Sequence, residues 1–514
     1  MTKDQEEMPS AASITARAKP LIESFAIEGL HGYRSLSLNT RFSGSVLIAP
    51  NGSGKTTFLG ALDAFLKGQF TRLASLNFES ITCRLRGVSE ELTVTKQEID
   101  DFSSIPSESS LVGFAKSWEL APTVLQDFLL NDYSSVDQDE IRENSVYQTI
   151  YAKSGYRHAA VKNICDHLTQ SLSGRHPNID RIRDILKLTL ADYEVVYLPT
   201  YRRIEISLPE DPEARPGYRK RQSVRARLGL TRQGLHSGEI QFGLADISER
   251  LAGLHRQMVF ESNRGYGQIS ANIVNDLITG AFEREIPSLD ARPSREDLHL
   301  FFSRIEEEME GRRFGPYQNL IPNIDAIYSG SIPAESEKFL TYFLGKLNSV
   351  IEKTRDVESV VEEFIGNCNR YLSLPDELLA RIGQAQDAKE LTFDRRNLRV
   401  TVTSKALSRK VPLDSLSSGE KQMISLFARL YLYPPTRKIV LIDEPELSLS
   451  IDWQKKILPD ILGAPSCEQL IAITHSPFVF ENELEPFATT LKMRIAGPVN
   501  PSLFPEDDEG LVNE

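Results

Sequence analysis

Cysteine is scarce: the four in 514 residues, Cys83, Cys165, Cys368 and Cys467, lie far apart with no C-x-x-C pair. That spacing argues against a disulfide framework and a paired-thiolate zinc site, and buried thiols are expected instead. No apolar run approaches the roughly 18 residues that cross a bilayer. The opening stretch MTKDQEEMPS AASITARAKP lacks the apolar core of a secretory signal, so a cytoplasmic protein with a flexible N-terminus over residues 1–20 is expected. Positive charge is in deficit, with 59 Lys and Arg against 72 Asp and Glu and a net charge of −13. The surface as a whole therefore repels nucleic acid, and any such contact must come from a local basic patch. No nuclease-like cluster of histidines and metal-spaced carboxylates is present, and no membrane permease half. What remains, 40% hydrophobic and 25% charged residues, is an ordinary globular composition, long enough for about two to four compact units.

Ser45-Val46-Leu47-Ile48 reads as a buried strand that runs into Ala49-Pro50-Asn51-Gly52-Ser53-Gly54-Lys55-Thr56-Thr57, and Phe58-Leu59-Gly60-Ala61-Leu62 continues as a helix. Strand, glycine-rich turn and helix start come in the order a phosphate loop needs. Gly52 and Gly54 let the backbone turn its N–H groups onto phosphates, with Asn51, Ser53 and Thr57 in the same cradle. Lys55 reaches the β- and γ-phosphates, and the Thr56 hydroxyl suits Mg²⁺. Ala49 stands where the G-x-x-x-x-G-K-[ST] pattern has its first glycine.

A second apolar strand, Ile439-Val440-Leu441-Ile442, delivers Asp443-Glu444-Pro445-Glu446 at its C-terminal end, the edge where open α/β sheets bind ligands. Asp443 is expected to organise Mg²⁺, and Glu444 to polarise an attacking water from beside the γ-phosphate. Upstream, Leu416-Ser417-Ser418-Gly419-Glu420-Lys421-Gln422 opens an apolar helix, so hydroxyls and a glycine at a helix N-terminus form a second anion site. Downstream, the strand Leu470-Ile471-Ala472-Ile473 ends in Thr474-His475-Ser476-Pro477 and brings one histidine to the same edge.

These four ordered motifs resemble the ABC ATPase superfamily, in particular the branch with the SMC and double-strand-break-repair ATPases and the defence ATPases related to the overcoming-lysogenization-defect proteins. The resemblance implies ATP and Mg²⁺ as ligands, Glu444 as catalytic base and His475 as the histidine that senses the γ-phosphate. It also implies that Ser417 and Gly419 bind the γ-phosphate of a second copy, so that ATP holds a homodimer together. Two positions depart from the family: the signature reads Ser-Ser-Gly-Glu where Ser-Gly-Gly-Gln is commoner, and Ser450 stands where relatives often carry histidine.

Lys55 and Glu444 are 389 positions apart, whereas a nucleotide-binding head needs about 200 residues, so a large insertion leaves the head and returns. The expected fold class is α/β: a split ABC ATPase head, with a mixed β-sheet and flanking helices, carrying a large, mainly helical insertion. The expected bounds are 21–205 for the first lobe, 206–385 for the helical arm, 386–480 for the second lobe and 481–514 for a partly ordered tail or docking peptide. Leu298, Phe301, Phe302, Ile305 and Met309 are spaced as one face of a helix, with Ser294 and Asp297 as a capping box. Leu340, Phe343, Leu344, Leu347 and Ile351 repeat the spacing, as do Val357, Val360, Val361, Phe364, Ile365 and Cys368. These interrupted runs predict a compact arm or oligomerisation domain rather than a long coiled coil.

Arg202 and Arg203 follow the strand Glu194–Leu198 and read either as a surface turn or as a phosphate contact. The segment Arg215–Arg232 is the most basic in the chain, and reads either as a solvated loop or as a nucleic-acid or acidic-partner contact. Likeness to the compact, arm-inserted ATPases of bacterial anti-phage systems (Septu, PARIS, retron-linked) implies a defence ATPase that controls a separate effector nuclease or toxin. A repair or chromosome-maintenance ATPase that binds DNA ends is the alternative.

Overall fold

A computed structural model of the chain describes residues 18–50, 52–105, 109–133, 141–142, 144–172, 174–198, 244–280, 292–311, 322–329, 332–372, 389–397, 399–404, 408–411, 415–433, 437–447 and 449–495. Asn51, Arg202, Arg203, the segment Arg215–Arg232, residues 1–17 and the acidic run Glu506–Glu509 lie outside them. Packing divides the described chain into two units, residues 18–198 with 437–495, and residues 244–433. The break at 433–437 falls inside the stretch 386–480 that was expected as one lobe.

The first unit begins with β1 (Ile22–Leu30), β2 (Arg34–Asn39), β3 (Gly44–Ile48), α1 (Lys55–Leu66), β4 (Ser80–Leu85) and β5 (Leu92–Thr95). It continues through α2 (Lys96–Ser103), α3 (Ser110–Ser117), α4 (Pro122–Asp127), α5 (Ser145–Ser154), α6 (His158–Leu172), α7 (Pro177–Thr189) and β6 (Tyr193–Leu198). The second unit holds α8 (Leu244–Thr279), α9 (Arg295–Gly311), α10 (Ile324–Tyr328), α11 (Ala334–Leu372), β7 (Lys389–Asp394), β8 (Arg399–Ser404), β9 (Arg409–Val411) and α12 (Ser418–Tyr431). The chain returns to the first unit with β10 (Arg437–Asp443), α13 (Ile451–Leu462), β11 (Cys467–Thr474), β12 (Ala488–Thr490) and β13 (Lys492–Ile495).

In the first unit one sheet has the order β12-β3-β11-β10-β6, and every neighbouring pair is parallel. The near-continuous apolar runs of β10 and β11 are what strands covered on both faces require, and Ile439, Leu441, Ile471 and Ile473 are fully buried. A second sheet, β13-β2-β1-β4-β5, is antiparallel throughout. α1 is buried almost all round, as a helix apolar on every side must be, and shares one core with strands of both sheets. Phe25 of β1 meets Phe58 and Phe65 of α1 edge to face at 5.3 and 6.0 Å, each ring contributing roughly 1.5–3 kcal/mol by burial. Buried Gln469 of β11 ties the sheets covalently distant in sequence: its Oε1 accepts from the backbone N–H groups of Leu21 and Ile22 at 2.9 and 2.8 Å. The stretch after Glu481, expected as a partly ordered end, supplies β12 and β13 to the two sheets. Pro486 opens a short 3-10 turn there, and Phe487 packs on Phe42 at 5.3 Å.

In the second unit α8 and α11 run for 36 and 39 residues, longer than the interrupted patterns predict. The stripes at 340–351 and 357–368 belong to the single helix α11, because no proline or glycine breaks the turn between them and the Thr354 hydroxyl donates back to the Ile351 carbonyl at 2.7 Å. A Cβ on Gly265 of α8 would come within 2.7 Å of the Val350 methyls of α11, so glycine is what lets these helices approach. Leu298, Phe301, Phe302 and Ile305 of α9 join Leu344, Leu347, Val350 and Ile351 in one core; Met309 lies outside the described side chains. Ser294 caps α9 as expected, its Oγ accepting the Asp297 N–H at 3.1 Å. Glu358 of α11 bridges Arg304 Nη2 and Arg395 Nε at 2.6 and 2.8 Å in a buried network.

Candidate functional site

Three adjacent strands of the parallel sheet carry the motifs, so their C-terminal ends share one edge. Register fixes the match: Thr474 pairs with Ile48, and Asp443 with Ile473. The loop after β3, the acids after β10 and the histidine after β11 therefore meet by topology alone, at the place where such sheets bind ligands.

The loop has the backbone a phosphate cradle needs. Gly52 and Gly54 have φ of +78° and +91°, left-handed values that side chains disfavour. A Cβ on Gly54 would also press on Leu36 at 3.3 Å. Gly54 is the N-cap of α1, and the N–H groups of the first turn have no intrahelical acceptor, which makes this end an anion site. Ser53 is buried, and its hydroxyl has no hydrogen-bond partner among the described residues. Thr57 sits half-buried in the first turn.

The structure brings Lys55, Thr56, Asp443, Glu444 and His475 together. The Thr56 hydroxyl hydrogen-bonds Asp443 Oδ2. Lys55 Nζ lies 2.9 Å from Glu444 Oε1, and both groups are largely shielded. His475 Nδ1 is 3.6 Å from the same Glu444 oxygen. Glu444 has φ of +50°, a conformation costing a non-glycine residue roughly 1–3 kcal/mol, and its N–H is held by the Ile473 carbonyl at 2.8 Å. The strain turns its carboxylate toward the lysine and the histidine rather than along the strand. A hydroxyl and a carboxylate in direct contact are the hard oxygen donors that Mg²⁺ takes, so Thr56 and Asp443 fit that ion.

Two groups that sequence reasoning gave no role also belong here. Arg34 Nη1 donates to the Gly52 carbonyl at 2.9 Å, with its guanidinium 4.6 Å from the Tyr33 ring, and so adds a cation beside the loop. No motif marks it. Buried Glu446, visible in Asp-Glu-Pro-Glu, sits 3.0 Å from His475 Nδ1. Ser450, the departure from the family pattern, caps α13 by accepting the Trp453 N–H.

Ser417 and Gly419 fold in the other unit, at the start of α12. Ser417 Oγ accepts the Glu420 N–H at 3.3 Å, and Glu420 Oε2 accepts the Ser417 N–H at 2.6 Å. Lys389 Nζ stands 3.0 Å from that carboxylate. The glutamate that replaces the commoner glutamine thus completes a capping box and carries its own counter-ion.

A parallel sheet ending in a phosphate loop, an Asp-Glu pair and a histidine defines a P-loop ATPase domain. Residues 374–481 match the family described as AAA domain, putative AbiEii toxin, Type IV TA system. The match takes in the α12 signature, the Asp-Glu pair and His475. Curated proteins show no significant match to the chain. Among solved structures, the Smc head domain with an extended coiled coil bound to the C-terminal domain of ScpA, from Pyrococcus furiosus, is similar over 93% of this chain and 96% of that one, with 12% identity and a TM-score of 0.32. No described helix is long and apolar enough to cross a membrane.

Proposed function

We propose that this protein is an ABC-type ATP hydrolase that dimerises around ATP and acts as sensor and regulatory scaffold of a bacterial anti-phage defence system, controlling a separate effector nuclease or toxin. The observation that carries the hydrolase reading is the convergence of Lys55, Thr56, Asp443, Glu444 and His475 on one sheet edge. Lys55 and the first-turn N–H groups of α1 bind the β- and γ-phosphates. Mg²⁺, when bound, neutralises developing phosphate charge. Thr56 and Asp443 would hold it, and Glu444 accepts the proton of the attacking water. In the ion pair with Lys55 that carboxylate is engaged, so the base becomes available only when the lysine turns to phosphate.

The effector-controlling part rests on the matched family, described as AAA domain, putative AbiEii toxin, Type IV TA system, which sets such a domain in a toxin–antitoxin context. Two features favour the DNA-end reading, the basic segment Arg215–Arg232 and the helices of 36 and 39 residues where short ones were expected. The test is to express the protein with its genomic neighbours, purify with ATP and Mg²⁺, and measure mass, composition and phosphate release. Phosphate release and a multimer carrying a small nuclease or toxin are expected. A bare ATP-dependent dimer that gains mass only with DNA would put the repair reading first.

A further inference from the structure

The histidine at the end of β11 meets two carboxylates, and the second has so far had no task. Glu446 is buried at 6% exposure. Its Oε2 accepts the Thr474 hydroxyl at 2.8 Å, and its Oε1 accepts the His475 backbone N–H at 3.2 Å. His475 Nδ1 lies 3.0 Å from that same Oε1. The other charged neighbour is Glu444, 3.6 Å away and itself paired with the Lys55 ammonium. From α13 the group nearest this turn is neutral: Gln454 Oε1 accepts the Ser476 hydroxyl at 2.9 Å and its Nε2 donates to the Leu449 carbonyl at 3.0 Å.

A carboxylate only accepts. A lone pair on Nδ1 facing a buried carboxylate oxygen at this distance would be repelled, so Nδ1 carries the hydrogen and a neutral ring presents its lone pair at Nε2. Phosphate oxygens also only accept. A ring held this way can donate to a phosphate through Nε2 only after that nitrogen gains a proton, and the resulting imidazolium is faced by two carboxylates.

We propose that Glu446 is a positioning residue for hydrolysis: it fixes His475 in the Nδ1–H form and supplies the counter-charge with which the ring becomes a cationic donor to a nucleoside triphosphate. This rests on the ATPase reading above, and Glu446 acts only through His475.

The test uses the full chain with ¹⁵N-labelled histidine, the His475 signals being assigned by their loss in His475→Gln. Without nucleotide, His475 is expected to be protonated at Nδ1, and Glu446→Leu to shift it toward the Nε2–H form. In turnover, Glu446→Gln keeps an acceptor but loses the charge, and is expected to lower kcat roughly 10- to 100-fold with KM nearly unchanged. Glu446→Asp should restore part of the loss. A wild-type ring protonated at Nε2 alone overturns the proposal, as does wild-type kcat in Glu446→Gln while Glu444→Gln is inactive. Absence of phosphate release from the wild type would sink the ATPase reading instead, and the nucleotide-free tautomer would still decide whether Glu446 holds the ring.

Discussion

Thr56 hydrogen-bonds Asp443 across 387 positions of sequence, joining the helix that opens after the phosphate loop to the strand that ends in acids. In the proposed hydrolase these two groups would hold Mg²⁺, Thr56 as a neutral hydroxyl and Asp443 as a carboxylate. Asp443→Asn is expected to lower turnover at least roughly 100-fold and to weaken the response to Mg²⁺. Thr56→Ala should do the same to a smaller degree, and the double variant should lose less than the sum, since both act on one ion. Phosphate release titrated against Mg²⁺ checks all three; additive losses would mean that the residues act separately.

Glu444→Gln separates binding from chemistry. Loss of the base is expected to cut turnover roughly 100- to 10,000-fold. The same change removes the negative charge that stands 2.9 Å from the Lys55 ammonium and competes with phosphate for it. ATP should then bind a few-fold more tightly, a gain on the order of 1 kcal/mol. Lys55→Ala should lose binding. A fluorescent-nucleotide titration reads both, and unchanged turnover in Glu444→Gln would remove Glu444 from the role of base.

The parts legible in sequence were those whose signal is local. The strand, glycine turn and helix from Ser45 to Leu62 follow from apolar runs and from Gly52 and Gly54, and the strand ending in Asp443 reads the same way. Their meeting was legible only as far as parallel strands deliver their ends to one edge. Arg34 was hidden because a guanidinium over the loop depends on the pairing of β1 with β2, which no local pattern encodes. Glu446 was in plain sight, but whether a carboxylate two residues past the base faces solvent or the histidine is decided by the turn after β10. α11 was longer than its stripes suggested, because polar Thr354 and Glu358 occupy buried positions on the same stripe and read as a break until both flanks are packed. The boundary at 433–437 was missed because the signature and Asp-Glu motifs are close in sequence, while the packing of α12 with α11 is visible only in three dimensions.

The thiols give the fold a sign of alkaline sensitivity. Burial pushes Cys165 and Cys467 up to about 12, and raises Cys83 and Cys368 as well. In the unfolded chain a thiol ionises near its ordinary value of about 8.5. Between that value and 12 the unfolded state has lost a proton that the folded state keeps, so stability falls as pH rises through this window and is independent of these groups below it. The denaturant midpoint should therefore drop between pH 8 and pH 10.5, and Cys467→Ala should make the drop shallower. Thiol reagents should leave the native chain unmodified at pH 8 and react once it is unfolded.

Ser417 and Glu420 allow the dimer to be tested from the signature side. The reciprocal cap closes the start of α12, and Lys389 lies 3.0 Å from the Glu420 carboxylate. Ser417→Ala removes one acceptor from the helix start, at a cost of about 1 kcal/mol, and removes the hydroxyl proposed to reach the second copy's nucleotide. ATP-dependent dimerisation should be lost while ATP binding by the monomer persists. Glu420→Gln keeps an acceptor for the Ser417 N–H but leaves the Lys389 charge uncompensated at a helix N-terminus, so the dimer should tighten a few-fold. Both are best made in the Glu444→Gln background, where bound ATP survives, with particle mass measured against ATP concentration. If mass never responds to ATP in any variant, closure of two copies around nucleotide is wrong; if it responds equally in all, the signature lies outside the interface.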